Sequence, residues 1–118
     1  MFLINMKQIL FDTNFILTCI KNKIDFFDEL LGEQILIPEQ VIDEIKRINN
    51  IYSGIALQLL QKNKFKKIKL EKGHVDKKII QYIKNKPEII VATLDRELQN
   101  KIHNKKIIIR GKKKLEIK

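Results

Sequence analysis

An open, doubly wound α/β sandwich, three layers deep around a mostly parallel sheet of about five strands, is the fold class this sequence predicts. Two observations carry the prediction. Short Ile-rich runs of strand length recur along the chain and alternate with segments of helix length, the pattern that builds parallel sheets through helical crossovers. Runs such as Ile89-Ile90-Val91 and Ile107-Ile108-Ile109 are also apolar at consecutive positions, which suits strands covered on both faces. At 118 residues the chain is long enough to bury a core without disulfide or zinc staples, and it reads as a single domain over residues 1–118.

The strand-length runs are Gln8 to Phe11, Gln34 to Ile37, Phe65 to Leu70, Glu88 to Ala92 and Lys106 to Ile109. Between them helices are predicted at Asn14 to Ile20, Asp25 to Leu31, Glu39 to Ile48, Ile51 to Gln61, Val75 to Lys84 and Leu94 to Ile102. Gly32 is placed to end the second helix. Pro38 stands where the third can start, because proline lacks only an amide hydrogen that the first turn leaves unpaired. The lysine run at Lys112 to Lys114 reads as a solvated turn or tail. No repeat or Pro/Gly/Ser-rich linker divides the chain.

Composition narrows the function classes. One cysteine, Cys19, excludes an internal disulfide, and two histidines with one cysteine are too few for a closed zinc site. The N-terminal MFLINMKQILF lacks the basic and apolar regions of a leader, and no apolar run approaches the roughly 18 residues of a membrane span. A cytoplasmic protein without membrane contact is expected. The net charge of +10 is unevenly spread: residues 1–61 carry 5 basic and 8 acidic side chains, the remainder 19 and 6. A basic second half points to a polyanion, with Lys64, Lys66, Lys67, Lys69, Lys105, Lys106, Lys112, Lys113 and Lys114 as its contacts to an RNA backbone. Codon bias in an AT-rich genome would explain the abundance of lysine but not its segregation. The phenylalanines, Phe2, Phe11, Phe15, Phe26, Phe27 and Phe65, fall mostly within apolar faces, so stacking platforms for bases are not evident.

Ligands of open α/β sheets bind beyond the carboxyl ends of the strands, and two acids stand there. Asp12 follows Ile9-Leu10-Phe11 and Asp95 follows the run Ile89 to Thr93. Each could equally cap the helix it precedes. At about 100° per residue, Glu44 lies about 60° from Val41, on the flank of the buried stripe of its helix, while Asp43 lies on the far side. A core-boundary glutamate reaching to solvent is the plain alternative. Asp76 falls in the middle of the apolar face formed by Val75, Ile79, Ile80, Tyr82 and Ile83. A charge there needs a partner, and a divalent cation is one; a first-turn acid favoured by the helix dipole is the other reading. Neither His74 nor His103 has a partner at a readable spacing, and His74 reads as a surface residue.

The blocks Ile9-Leu10-Phe11-Asp12-Thr13-Asn14-Phe15, Ile37-Pro38-Glu39-Gln40-Val41-Ile42-Asp43-Glu44, Val75-Asp76 and Val91-Ala92-Thr93-Leu94-Asp95-Arg96-Glu97-Leu98 resemble, in order and spacing, the PIN-domain nucleases. Residues Ile107 to Leu115 resemble the archaeal and eukaryotic branch associated with ribosomal RNA processing and with VapC-like toxins. The resemblance implies that Asp12, Glu44, Asp76 and Asp95 are the catalytic, metal-binding acids, supported by Thr13, Asn14 and Thr93. Glu97 is a further acid by position, though a surface pair with Lys101 at i+4 suits it better. Leu94 departs from the common pattern, which often carries Asn there. Hard oxygen ligands suit Mg²⁺ or Mn²⁺. The function implied is a metal-dependent endoribonuclease of the RNA-processing or toxin type. The alternative is an RNA-binding or ribosome-assembly module on the same fold. An antitoxin or ribosome-assembly partner and a homodimer also follow from the resemblance.

Overall fold

The computed structural model describes residues 6–118; Phe2 and the rest of the first five residues lie outside them. The elements run β1 (Gln8–Phe11), α1 (Thr13–Lys21), α2 (Phe26–Glu29), β2 (Gln34–Pro38), α3 (Glu39–Ile48), α4 (Ile51–Lys62), β3 (Lys66–Ile68), α5 (Val75–Ile83), β4 (Ile90–Ala92), α6 (Arg96–Lys101), β5 (Lys106–Arg110) and β6 (Lys114–Ile117). One sheet contains all six strands in the order β3-β2-β1-β4-β5-β6, parallel except for the β5–β6 pair.

Alternation along the strands divides the core. Ile9, Phe11, Ile35, Ile37, Ile90, Ala92 and Ile107 pack with residues of α1 to α4 on one face. Leu10, Leu36, Ile68 and Val91 pack on the other face with Ile79 and Ile83 of α5 and Leu98 of α6. Consecutive apolar residues are therefore required, because each neighbour along a central strand faces a different helical layer. Phe11, Phe15 and Phe26 are fully buried, Phe27 is buried and Phe65 half-buried. Cys19 is buried too, and burial pushes its thiol pKa up to about 12, leaving it unreactive. Among the described residues, no helix is long and apolar enough to cross a membrane.

A sixth strand stands where the sequence suggests only a turn or tail. Gly111 (φ +59°) and Lys112 (φ +62°) turn the chain back, so the lysine run is a hairpin turn and Lys114 opens β6. Leu115 and Ile117 then face the core, while Lys114 and Glu116 face solvent. The strand predicted over Phe65 to Leu70 is shorter because Gln40 of α3 intercepts its end. The Gln40 amide donates to the Leu70 carbonyl (2.7 Å) and accepts from the Leu70 N–H (3.3 Å). The second helix stops at Glu29, short of Leu31; Gly32 (φ +92°) lies in the turn that follows. The last helix begins at Arg96 rather than Leu94, since Asp95 caps it.

Candidate functional site

Strand order reverses at β1, which has β2 on one side and β4 on the other. The crevice beyond the carboxyl ends of β1 and β4 is thus the topological switch point of the sheet. Asp12 and Asp95 stand at its two sides, and each also caps the helix that follows it. Asp12 caps α1, its Oδ1 accepting the Phe15 N–H at 2.8 Å, while its Oδ2 accepts the Thr93 hydroxyl. Asp95 caps α6 through Oδ1 alone, from the N–H groups of Glu97 (2.9 Å) and Leu98 (3.3 Å). Capping leaves the other Asp95 oxygen available to the crevice.

A cavity of about 400 Å³ opens there, lined by Asp12, Thr13, Asn14, Glu44, His74 and Asp76 together with Gly73 and Val75. Glu44, on the flank of α3, is half-buried and accepts the Thr13 hydroxyl, whereas its neighbour Asp43 is exposed. Thr93 is fully buried; its oxygen also accepts the Asp95 N–H (3.1 Å), so one hydroxyl ties the ends of β1 and β4 together. Asn14 is exposed at the mouth.

Asp76 corrects the helical-wheel picture. It is exposed rather than enclosed in the apolar face, because it lies in the first turn of α5, before that face reaches the second core cluster. What surrounds it is acidic. Its pKa is raised by desolvation first, then by a hydrogen bond and the charge of Asp95, then by the charges of Glu44 and Glu97. Asp12 is only 7 % exposed, and its pKa rises to about 6. Desolvation drives that rise; the Thr93 and Phe15 bonds oppose it, and Asp76 and Asp95 add to it. Four carboxylates therefore face one crevice. Among the described residues the ion pairs are Lys78–Glu71 and Arg110–Glu116, so no lysine or arginine there neutralises the four. Glu97 is not paired with Lys101 either, and its charge acts on Asp76 instead. The acids do not close to the separation of shared ligands: among the described residues, no three acidic, histidine or cysteine side chains meet closely enough to hold an ion.

The nine lysines do not form one surface. Residues 64 to 69 accompany β3, one edge of the sheet, while residues 105 to 114 accompany β5 and β6, the other edge. Separation in sequence into a basic half becomes separation in space because three strands lie between β3 and β5. Strand polarity divides them further. Lys69 follows β3, and Lys112 to Lys114 follow β5, at the carboxyl ends where the acids lie. Lys64, Lys105 and Lys106 stand at the opposite, amino ends, and Lys106 donates to the Asn104 carbonyl (2.9 Å).

Gly73 and His74 also line the cavity, a placement the sequence does not indicate for either. His74 is exposed, as expected, and precedes α5 without capping it. The signal available was its adjacency to Asp76.

A family model described as PIN like domain matches residues 9–113. Ribonuclease VapC4 of Methanocaldococcus jannaschii is 28 % identical to this chain over 127 aligned positions, covering 95 % of this chain and 97 % of that protein. Among solved structures, the PIN domain endonuclease Utp24 superposes with a TM-score of 0.82 at 24 % identity, over 94 % of this chain and 90 % of the other, a likeness of fold.

Proposed function

The chain belongs to the PIN-like domain family, and from that premise we propose that it is an endoribonuclease that hydrolyses phosphodiester bonds in RNA with Mg²⁺ or Mn²⁺. The single observation that supports this best is the acidic crevice, in which burial and neighbouring acids raise the pKa of Asp12 and Asp76 beside Asp95 and Glu44, with no cationic side chain among the described residues paired to any of them. Carboxylates crowded in this way attract a hard divalent cation, and oxygen donors of this type suit Mg²⁺ or Mn²⁺. The four acids would hold it by drawing together around it, with Thr13 orienting Glu44 and Thr93 orienting Asp12. When bound, such an ion supplies activation of water and neutralisation of phosphate charge.

The residues have complementary tasks in this reading. Asp12 is desolvated, so its interactions are stronger than those of an exposed acid. Asp76, exposed at the mouth, would meet the incoming strand. Lys69 and Lys112 to Lys114 stand on the carboxyl-end side of the sheet, at its two edges, and would hold the RNA phosphates. The relatives named ribonuclease and endonuclease support the reaction class.

Incubating the purified chain with single-stranded RNA and Mn²⁺, beside Asp12→Asn, tests the proposal. Metal-dependent cutting by the parent and none by the variant is expected; equal cutting by both overturns it. RNA binding without any cutting is the result expected of the alternative, a binding or ribosome-assembly module.

A further inference from the structure

Helix α5 carries two chemistries. Its first turn brings Asp76 to the acidic crevice, while its outer face, with the loop before it, forms a second cleft of about 320 Å³. That cleft is lined by Lys69, Glu71, Lys78, Gln81, Tyr82 and Lys86. The loop from Glu71 to Val75 is the wall between the two spaces. The Lys78 stem crosses it at Gly73, where a β-carbon would lie 2.7 Å from the lysine Cε.

We propose that this second cleft holds one unpaired nucleotide of the RNA strand, with Tyr82 as the stacking surface for its base. The ring is half-buried and packed against the second core cluster, so it presents a face without losing side-chain freedom on binding. The Lys86 ammonium already sits 4.4 Å from the ring centroid while donating to the Tyr82 carbonyl (3.0 Å). A base entering the cleft would take the place of the ammonium over the ring, and the lysine so released would meet the phosphate of that nucleotide. Lys69 adds charge at the other side of the cleft, where Lys78 is paired with Glu71 (3.8 Å). Glu71 and Gln81 supply the polar edge: the Gln81 amide accepts from Lys78 (3.2 Å) and donates to Glu71 (3.3 Å). That chain holds acceptors and donors at the exposed rim of the cleft, where they can meet the edge of an unstacked base. The volume lies near the lower end of the roughly 300–1,000 Å³ common for ligand sites, suited to one nucleotide. Asp76 and Tyr82 stand about 9 Å apart along the axis of α5 and about 120° apart around it, so a strand in both spaces would pass over the Gly73 wall between them. The proposal rests on the nuclease reading for the fate of the strand but not for its binding.

The test uses the full chain carrying Asp12→Asn, in EDTA, with fluorescein-labelled rA6, rC6, rG6 and rU6 read by anisotropy. Tyr82→Leu, which keeps the apolar packing, should weaken the tightest of the four about tenfold. Tyr82→Phe should stay within about twofold, and Glu71→Ala should narrow the spread among the four. The proposal is overturned if Tyr82→Leu binds like its parent, if no hexamer binds, or if labelled oligoglutamate binds as tightly as RNA. The two readings fail separately. Tyr82-dependent binding with no cutting by the wild-type chain in Mn²⁺ overturns only the nuclease; cutting with Tyr82-independent binding overturns only this cleft.

Discussion

The Thr93 hydroxyl donates to Asp12 across the β1–β4 pair, linking the ends of two parallel strands that are 81 residues apart in sequence. That bond favours the charged form of a carboxylate that burial pushes toward the neutral one. Removing the hydroxyl with Thr93→Val, which keeps the shape, should destabilise the metal-free protein at pH 7 by about 1–3 kcal/mol, the range for stranding a buried acceptor. Urea titration in EDTA measures it.

Asp12 itself should make the metal-free protein less stable as pH rises. Its folded pKa of about 6 lies above the ordinary 3.8 of an aspartate, so the folded state binds the proton more tightly. The associated stability is fully present below about pH 4 and is lost as pH rises through about 6, a change of roughly 3 kcal/mol. Asp12→Asn should cap α1 as well and lack this loss. In EDTA, wild type and variant should converge near pH 4 and separate by about pH 7.5, with the variant more stable; parallel curves would contradict the shift.

Metal binding should release protons near pH 6, because the Asp12 carboxyl keeps its proton up to about pH 6 in the folded chain. Calorimetric titration with Mn²⁺ in two buffers of different ionisation enthalpy should give different apparent heats at about pH 6 and nearly equal heats at about pH 8.

The polarity of the sheet predicts which lysines matter. Replacing Lys112 and Lys113 with Gln should lower RNA affinity and make the slope of log K against log salt shallower by about 0.7 for each phosphate left without its lysine. The same change at Lys64 and Lys105, at the amino ends, should leave the slope unchanged. Equal effects of the two pairs would count against binding along the carboxyl edge.

Gly73 has φ +136°, a region essentially reserved for glycine. Gly73→Ala should therefore cost about 1–3 kcal/mol of stability, readable as a lowered Tm, and should displace Lys78 from the wall between the two clefts.

Much of this was legible in the sequence because it depends on local periodicity. Consecutive apolar residues at Ile9 to Phe11 and Ile89 to Ala92 mark strands covered on both faces, and α3 runs over the span its pattern indicates, Glu39–Ile48. Helical angle alone separates Glu44 from Asp43. The final hairpin is obscured because lysines dominate its turn, and only two residues of β6, Leu115 and Ile117, carry the inward pattern. The shortened β3 is unreadable for another reason: Gln40, 30 residues away, takes the Leu70 backbone groups.

By itself the sequence determined the layers, the parallel sheet and the position of Asp12 and Asp95 at strand ends, since these follow from the order of apolar runs and turns. Only the tertiary structure decided what those acids meet. It set Asp76 at an exposed first turn facing Asp95, joined Thr93 to Asp12, and divided the lysines between opposite edges of the sheet. Such relations depend on strand order, and strand order is a property of long-range pairing that no local pattern records.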